Sequence, residues 1–153
     1  MKPSLNCINL IKSFEGFRAK PYLCPAGVVT LGYGSTRDTD GKPITMIHPP
    51  ITELQASALM QATLVTYSDA VNRYVKVAIN QNQFDALVDF AYNAGAQNLR
   101  TSTLLKKLNT GDYSGASREF SKWCYGGGKV LAGLVKRRLA EQKLFNGELH
   151  EST

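Results

Sequence analysis

Apolar residues recur at helical spacing at the start of the chain: Leu5, Ile8, Ile11 and Phe14 follow Ser4, a natural N-cap. This predicts a short first helix whose C-terminal end carries Glu15, just before Gly16. From Pro21 to about Thr45 the helical period disappears. Gly27, Gly32, Gly34 and Gly41 divide short runs such as VVTLGY, the pattern of a small β-hairpin or three-stranded sheet. Pro49 and Pro50 close that stretch. Thr52 and Gln55 form a capping box that opens a long helix to about Tyr74, with Leu59, Ala62, Ala70 and Val71 on its apolar stripe. Asn80 and Gln83 open another, in which Phe84, Leu87, Val88 and Ala91 share a face and Gly95 is the stop. Ser102 is expected to cap a helix through Leu108 to Gly111, and a further helix is expected from about Ser114 to Trp123. A loop follows at Gly126 to Gly128, then a last helix from about Leu134 to Phe145 that carries Arg137, Arg138 and Glu141.

This order reads as an α+β domain spanning residues 1–153, with a β lobe at about 16–50 and a larger helical lobe at about 51–150 that includes the N-terminal helix. With 153 residues the chain suits one domain with its own core. Hydrophobic residues at 43% and charged residues at 20% exclude wholesale disorder. A net charge of +6 favours polyanionic partners: nucleic acid, an anionic membrane face or an anionic cell-wall polymer. No basic run or binding motif selects nucleic acid. No stretch approaches the roughly 20 apolar residues that span a bilayer, and MKPSLNCINLIKSFEGF lacks the apolar core of a signal peptide. Cys7, Cys24 and Cys124 have neither zinc-site spacing nor the look of a disulfide scaffold, which fits synthesis in a reducing cytoplasm. No metal or cofactor is expected.

The candidate chemistry lies in EGFRAKPYLCPAGVVTLGYG, residues 15–34. Glu15 ends an apolar helix next to the β lobe, where clefts form and partial burial raises a carboxyl pKa, as a general acid requires. Position alone is weak evidence, since a lone glutamate at a helix end is more often a surface residue or a structural ion-pair partner. Cys24, followed by Pro25, is biased to extended backbone; as a lone cysteine it suits a thiolate nucleophile, a ligand, a disulfide partner or inert filler. Thr30 alone signals only β propensity.

In combination the spacing is more specific. Glu15, eight residues, Cys24, five residues, Thr30 and then LGYG resembles the Glu-x8-Asp/Cys-x5-Thr signature of bacteriophage lysozymes (endolysins) of glycoside hydrolase family 24. The match is to the lambdoid-like branch with Cys in the second catalytic position. QNQFDALVDFAYNAG is similar to the family's core helix, and RTSTLLKKLNTGDYSGASREFSKWCYGGG with GLVKRRLAEQ to its C-terminal signature. The resemblance implies a lysozyme-like fold with the active-site cleft between the β lobe and the helical lobe. It also implies a muramidase that cleaves the β-1,4 bond between N-acetylmuramic acid and N-acetylglucosamine in peptidoglycan, lysing the host.

Carried over by position, Glu15 is the general acid, and Cys24 and Thr30 act as nucleophile or water-positioning groups. Tyr33, Ser35, Tyr92 and Asn93 contact substrate, Arg137 or Arg138 pairs with Glu15 or its surroundings, and Trp123 belongs to the core. For Tyr92 ordinary packing is the competing reading; for the two arginines it is a solvated face shared with Glu141. The resemblance further implies a monomer made in the host cytoplasm that acts on the wall in the periplasm, without nucleic acid or stable membrane insertion. Relatives in this branch often begin with a signal-anchor-release segment. Met1 to Phe14 is too short and polar for one, so passage through a holin, or a missing natural leader, is expected. Cys7 is the nearest thiol to cage Cys24 in a disulfide. Two readings compete with the hydrolase: a lytic transglycosylase of similar fold, and a non-enzymatic membrane-active protein that acts through basic helices such as LVKRRLAEQKLF.

Overall fold

The first helix, α1 (Leu5–Glu15), forms where the apolar period predicts it. Its start is secured by Ser4, whose Oγ accepts from the Asn6 N–H at 3.2 Å while its own N–H and hydroxyl donate to Asp85. In this computed structural model residues 1–148 are described. Positions 149 and 150, at the end of the expected helical lobe, lie outside them.

Helix α1 leads into an antiparallel pair, β1 (Arg18–Leu23) and β2 (Val29–Gly32), with Tyr22 opposite Thr30 and Leu23 opposite Val29. The pair begins before Pro21, because Arg18 already faces Gly32 across a bulge. No third strand joins it among the described residues; bridges at Leu31–Ser35 and Arg37–Pro43 fold the following loop instead. A Cβ on Gly32 would stand 3.0 Å from the Ala56 Cβ, so glycine lets the end of β2 reach the next helix.

That helix, α2 (Glu53–Tyr74), carries the expected capping box: Gln55 N–H donates to Thr52 Oγ1 at 3.1 Å, and Thr52 N–H to Gln55 Oε1 at 2.9 Å. Such a cap contributes about 1 kcal/mol. Its buried stripe runs through Ala56, Leu59, Met60, Leu64, Ala70 and Val71. Ala62, assigned to that stripe from the sequence, is exposed: it lies two positions past Met60, about 200° around the axis.

Helix α3 (Gln81–Ala94) has a complete Asn80–Gln83 capping box and ends at Gly95. Every residue from Phe84 to Ala91 is buried. Two short helices follow, α4 (Ala96–Thr101) and α5 (Thr103–Asn109), the second capped by Ser102 as expected. Helix α6 (Tyr113–Glu119) is capped by Asp112 and tightens into a 3₁₀ turn at Phe120–Lys122, where one helix to Trp123 was expected. Gly127 and Gly128 form the tip of a small hairpin, β3 (Tyr125–Gly126) and β4 (Lys129–Val130). The last helix, α7 (Ala132–Phe145), starts two residues early.

The chain divides into two compact units: Ile8–Thr66, and Met1–Cys7 with Tyr67–Thr153. The core of the second is aromatic, with Phe90 edge-on to Phe120 and to Trp123 at centroid separations of 5.9 and 5.4 Å, and Phe145 against Phe120 at 5.5 Å. No helix among the described residues is long and apolar enough to cross a membrane.

Candidate active site

Within the unit Ile8–Thr66, Glu15 is the last residue of α1 and is half-buried. Its carboxylate lies on the backbone of Gly34: a Cβ placed there would stand 2.7 Å from Oε1. Gly34 has φ +85°, so this glycine both makes the turn after β2 and leaves room for the acid.

Cys24 sits one residue beyond β1, in the turn of the hairpin. Its N–H donates to Val28 O at 3.0 Å, and Gly27 N–H donates to Cys24 O at 2.8 Å. Pro25 fixes the second position of that turn. Because Cys24 lies opposite Val28, Thr30 is its diagonal neighbour on the same face, and the five-residue spacing brings sulfur and hydroxyl together. The N–H groups of Val28 and Ala26 hold the Cys24 thiol below its ordinary range, helped by the Thr30 hydroxyl. That hydroxyl has one proton. It donates to Val28 O at 3.0 Å, so carbonyl and sulfur compete for that proton.

Tyr33 is buried, and its hydroxyl donates to Glu53 Oε2 at 2.7 Å; Lys12 lies 3.2 Å from the same carboxylate and over the Tyr33 ring. The bond to Glu53 raises the phenol pKa and lowers that of the carboxyl. Ser35 is buried, its backbone bridged to Leu31 and its Oγ without a protein partner.

In the other unit, Tyr92 is half-buried with its ring edge-on to Tyr67 at 5.4 Å. Asn93 lies on a cavity of about 710 Å³ lined also by Asn98, Thr103, Trp123, Tyr125 and Arg138. Trp123 is therefore half core and half cavity wall. Arg137 and Arg138 are buried, not part of a solvated face, because Asp89 of α3 pairs with the first and Glu141 of α7 with the second. Arg137 grips Asp89 twice, Nη2 to Oδ1 at 2.8 Å and Nε to Oδ2 at 3.1 Å. Arg138 Nη2 donates to Asn93 Oδ1 at 2.6 Å and to Glu141 Oε2 at 3.1 Å. Its Nε is 2.8 Å from Glu141 Oε1, close enough for ion pairing although not aligned as a hydrogen bond.

Burial, then the neighbouring Asp89, pushes the Glu141 carboxyl well up. Burial pushes Asp89 the same way, but the Glu141 hydrogen bond and the guanidinium of Arg137 outweigh it and hold Asp89 low. The two shifts are opposite, Asp89 towards its charged form and Glu141 towards its neutral one. Cys7 lies among the same groups, its thiol driven up by burial and then by Asp89 and Asp85. Cys7, Cys24 and Cys124 are all free thiols, and no cluster of side chains suited to a metal occurs among the described residues.

The phage lysozyme family model matches residues 12–141. The chain belongs to the phage lysozyme family. It is 46% identical over 140 residues to an endolysin of Acyrthosiphon pisum secondary endosymbiont phage 1, covering 89% of this chain and 92% of that one. It is 45% identical over 142 residues to an endolysin of Bacillus phage B103, covering 90% of this chain but only 51% of that protein's length. The structure superposes on an endolysin from Escherichia coli O157:H7 phage FAHEc1 with a TM-score of 0.90 at 35% identity, over 99% of this chain and 98% of that one. The fold is thus lysozyme-like α+β, and the protein is a glycoside hydrolase of the lysozyme type.

Several residues of this phage lysozyme have roles that sequence reasoning did not assign. Gly34 was visible only as punctuation in LGYG. Asp89 had a signal: a charge within the otherwise largely apolar run Phe84–Ala91 needs a buried partner. Gly34→Ala is expected to lower kcat about a hundredfold with little change in KM. The new Cβ displaces the end of the flexible Glu15 carboxylate and alanine at φ +85° also strains the backbone, so a melting curve beside the kinetics separates the two costs. Steady-state kinetics on purified peptidoglycan check this; an unchanged kcat would show that the carboxylate does not work from its place on Gly34.

Proposed function

We propose that this phage lysozyme hydrolyses the β-1,4 bond between N-acetylmuramic acid and N-acetylglucosamine, with Glu15 as general acid and the Cys24 thiolate and Thr30 on the opposite side of the reacting sugar. The observation that supports this most is the hairpin register, which sets Thr30 diagonal to Cys24 on one face beside the turn whose N–H groups lower the thiol pKa. Glu15 gives its proton to the bridging oxygen as the bond to the anomeric carbon breaks. The sulfur anion faces the positive charge that builds on the ring. A water held by the Thr30 oxygen and the sulfur adds to the anomeric carbon, and its proton passes to the sulfur. Asp89, Arg137, Arg138 and Glu141 hold the walls of the unit that carries Asn93.

The pH profile tests the sulfur. If the thiolate is the working form, wild-type kcat falls as pH drops through the lowered thiol pKa. Cys24→Asp keeps a negative charge down to about pH 4 and is expected to retain activity at pH values where the wild type has lost it. Cys24→Ser, neutral throughout, is expected to lose about a hundredfold at every pH. Full activity in the serine variant would show that no anion is needed at this position.

A further inference from the structure

Two side-chain amides line the 710 Å³ cavity, and their bonds inside the protein fix which way each faces. Arg138 Nη2 donates to Asn93 Oδ1 at 2.6 Å. A guanidinium has donors only, so Asn93 must turn its oxygen to Arg138 and its NH₂ away from it. Arg138 itself cannot swing. It is 1% exposed, paired with the fully buried Glu141, and stacked 5.0 Å from the Phe90 ring centre. Asn98 is held in the opposite sense: its Nδ2 donates to Ala94 O at 2.7 Å, leaving Oδ1 to accept. The cavity therefore offers an N–H donor from Asn93 and a carbonyl acceptor from Asn98, beside the apolar surfaces of Trp123, Tyr125 and Leu134. A secondary amide, with one carbonyl and one N–H, has the complementary pair.

We propose that Arg138, held by Glu141, is a positioning residue that locks the Asn93 amide so that Asn93 and Asn98 together read a secondary amide of the substrate. This rests on the muramidase reading above, since the peptidoglycan amides are the N-acetyl groups of the sugars and the peptide bonds of the stem. An unlocked Asn93 would present either end, and the selection would be lost.

The test measures equilibrium binding of three probes to the full chain: the N-acetylglucosamine trimer, its fully de-N-acetylated counterpart, and a free stem tripeptide. Wild type is expected to prefer the acetylated trimer by about tenfold, the effect of one or two well-placed hydrogen bonds. Asn93→Asp keeps the oxygen that Arg138 needs but has no N–H. It is expected to erase the preference with the melting temperature nearly unchanged. Arg138→Lys leaves Asn93 in place and removes the fork that holds it, so the preference is expected to vanish there too. A merely structural arginine would lower the melting temperature and leave the preference intact.

Tripeptide binding that Asn93→Asp abolishes would assign the amide to the stem instead of the sugar. A preference that survives in Asn93→Asp, or a wild type that binds neither the acetylated trimer nor the tripeptide, overturns the amide reader. A preference that survives only in Arg138→Lys overturns the positioning role. The two readings fail separately. Wild type that cleaves peptidoglycan without the amide preference sinks this inference alone; wild type that shows the preference without cleaving sinks the muramidase.

Discussion

Glu15→Gln is expected to lower turnover on purified peptidoglycan about a thousandfold, within the range that a positioned general acid contributes. The glutamine amide fills the same space on Gly34 and has no proton to give to the departing oxygen. Stability should change little, since the side chain is only half-buried at the end of α1. The assay is release of reducing ends, beside a melting curve showing that the fold is intact. Undiminished lysis by this variant would favour killing by basic amphipathic surfaces, the membrane-active alternative.

The second large effect is on stability. Asp89→Ala removes a fully buried carboxylate that Arg137 grips twice. Breaking a buried ion pair from one side costs roughly 3–5 kcal/mol, a large share of the ~5–15 kcal/mol that holds a domain folded. The melting temperature should fall by about 10 °C. Glu141→Gln is expected to cost less, because its raised pKa brings the native side chain nearer its neutral form. Equal losses in the two variants would contradict the opposite shifts of the two carboxyls.

The same assignment sets the pH dependence. Asp89 is lowered in the folded state, so its contribution is present above the unfolded carboxyl pKa and is lost as pH falls through the folded one. Glu141 is raised, so its contribution is complete below the unfolded value and is lost as pH rises through the folded one. Stability should therefore peak between a limb below the usual carboxylate range and a limb above it.

Much of the fold was legible because local signals agreed. The Thr52–Gln55 and Asn80–Gln83 boxes mark helix starts within a residue, and Gly95 marks a stop. Helix α4 escaped because six residues straight after a helix stop show no period. Ala62 was misassigned because alanine fits either face of a helix. The small hairpin at Tyr125–Val130 is too short to alternate.

At the site, the Cys24–Thr30 pairing follows from hairpin register, which the sequence suggests without stating. The proximity of Glu15 to Gly34 does not follow, since it depends on how α1 meets the turn after β2. The buried network of Asp89, Arg137, Arg138 and Glu141 joins residues some 50 positions apart. Its sign in the sequence was the clash of charged residues with an apolar helix. The amide orientations at Asn93 and Asn98 required coordinates, because a sequence says nothing about which end of an amide faces a partner.

The proposed mechanism stands on water, delivered opposite a proton-donating carboxyl, opening the glycan. Mass analysis of the fragments from purified peptidoglycan tests this most directly. Chains ending in reducing N-acetylmuramic acid are expected, each heavier by one water than the anhydro form. Fragments ending in anhydro-muramic acid would mean that the sugar's own hydroxyl, not water, attacks, and would contradict a water-holding role for Cys24 and Thr30.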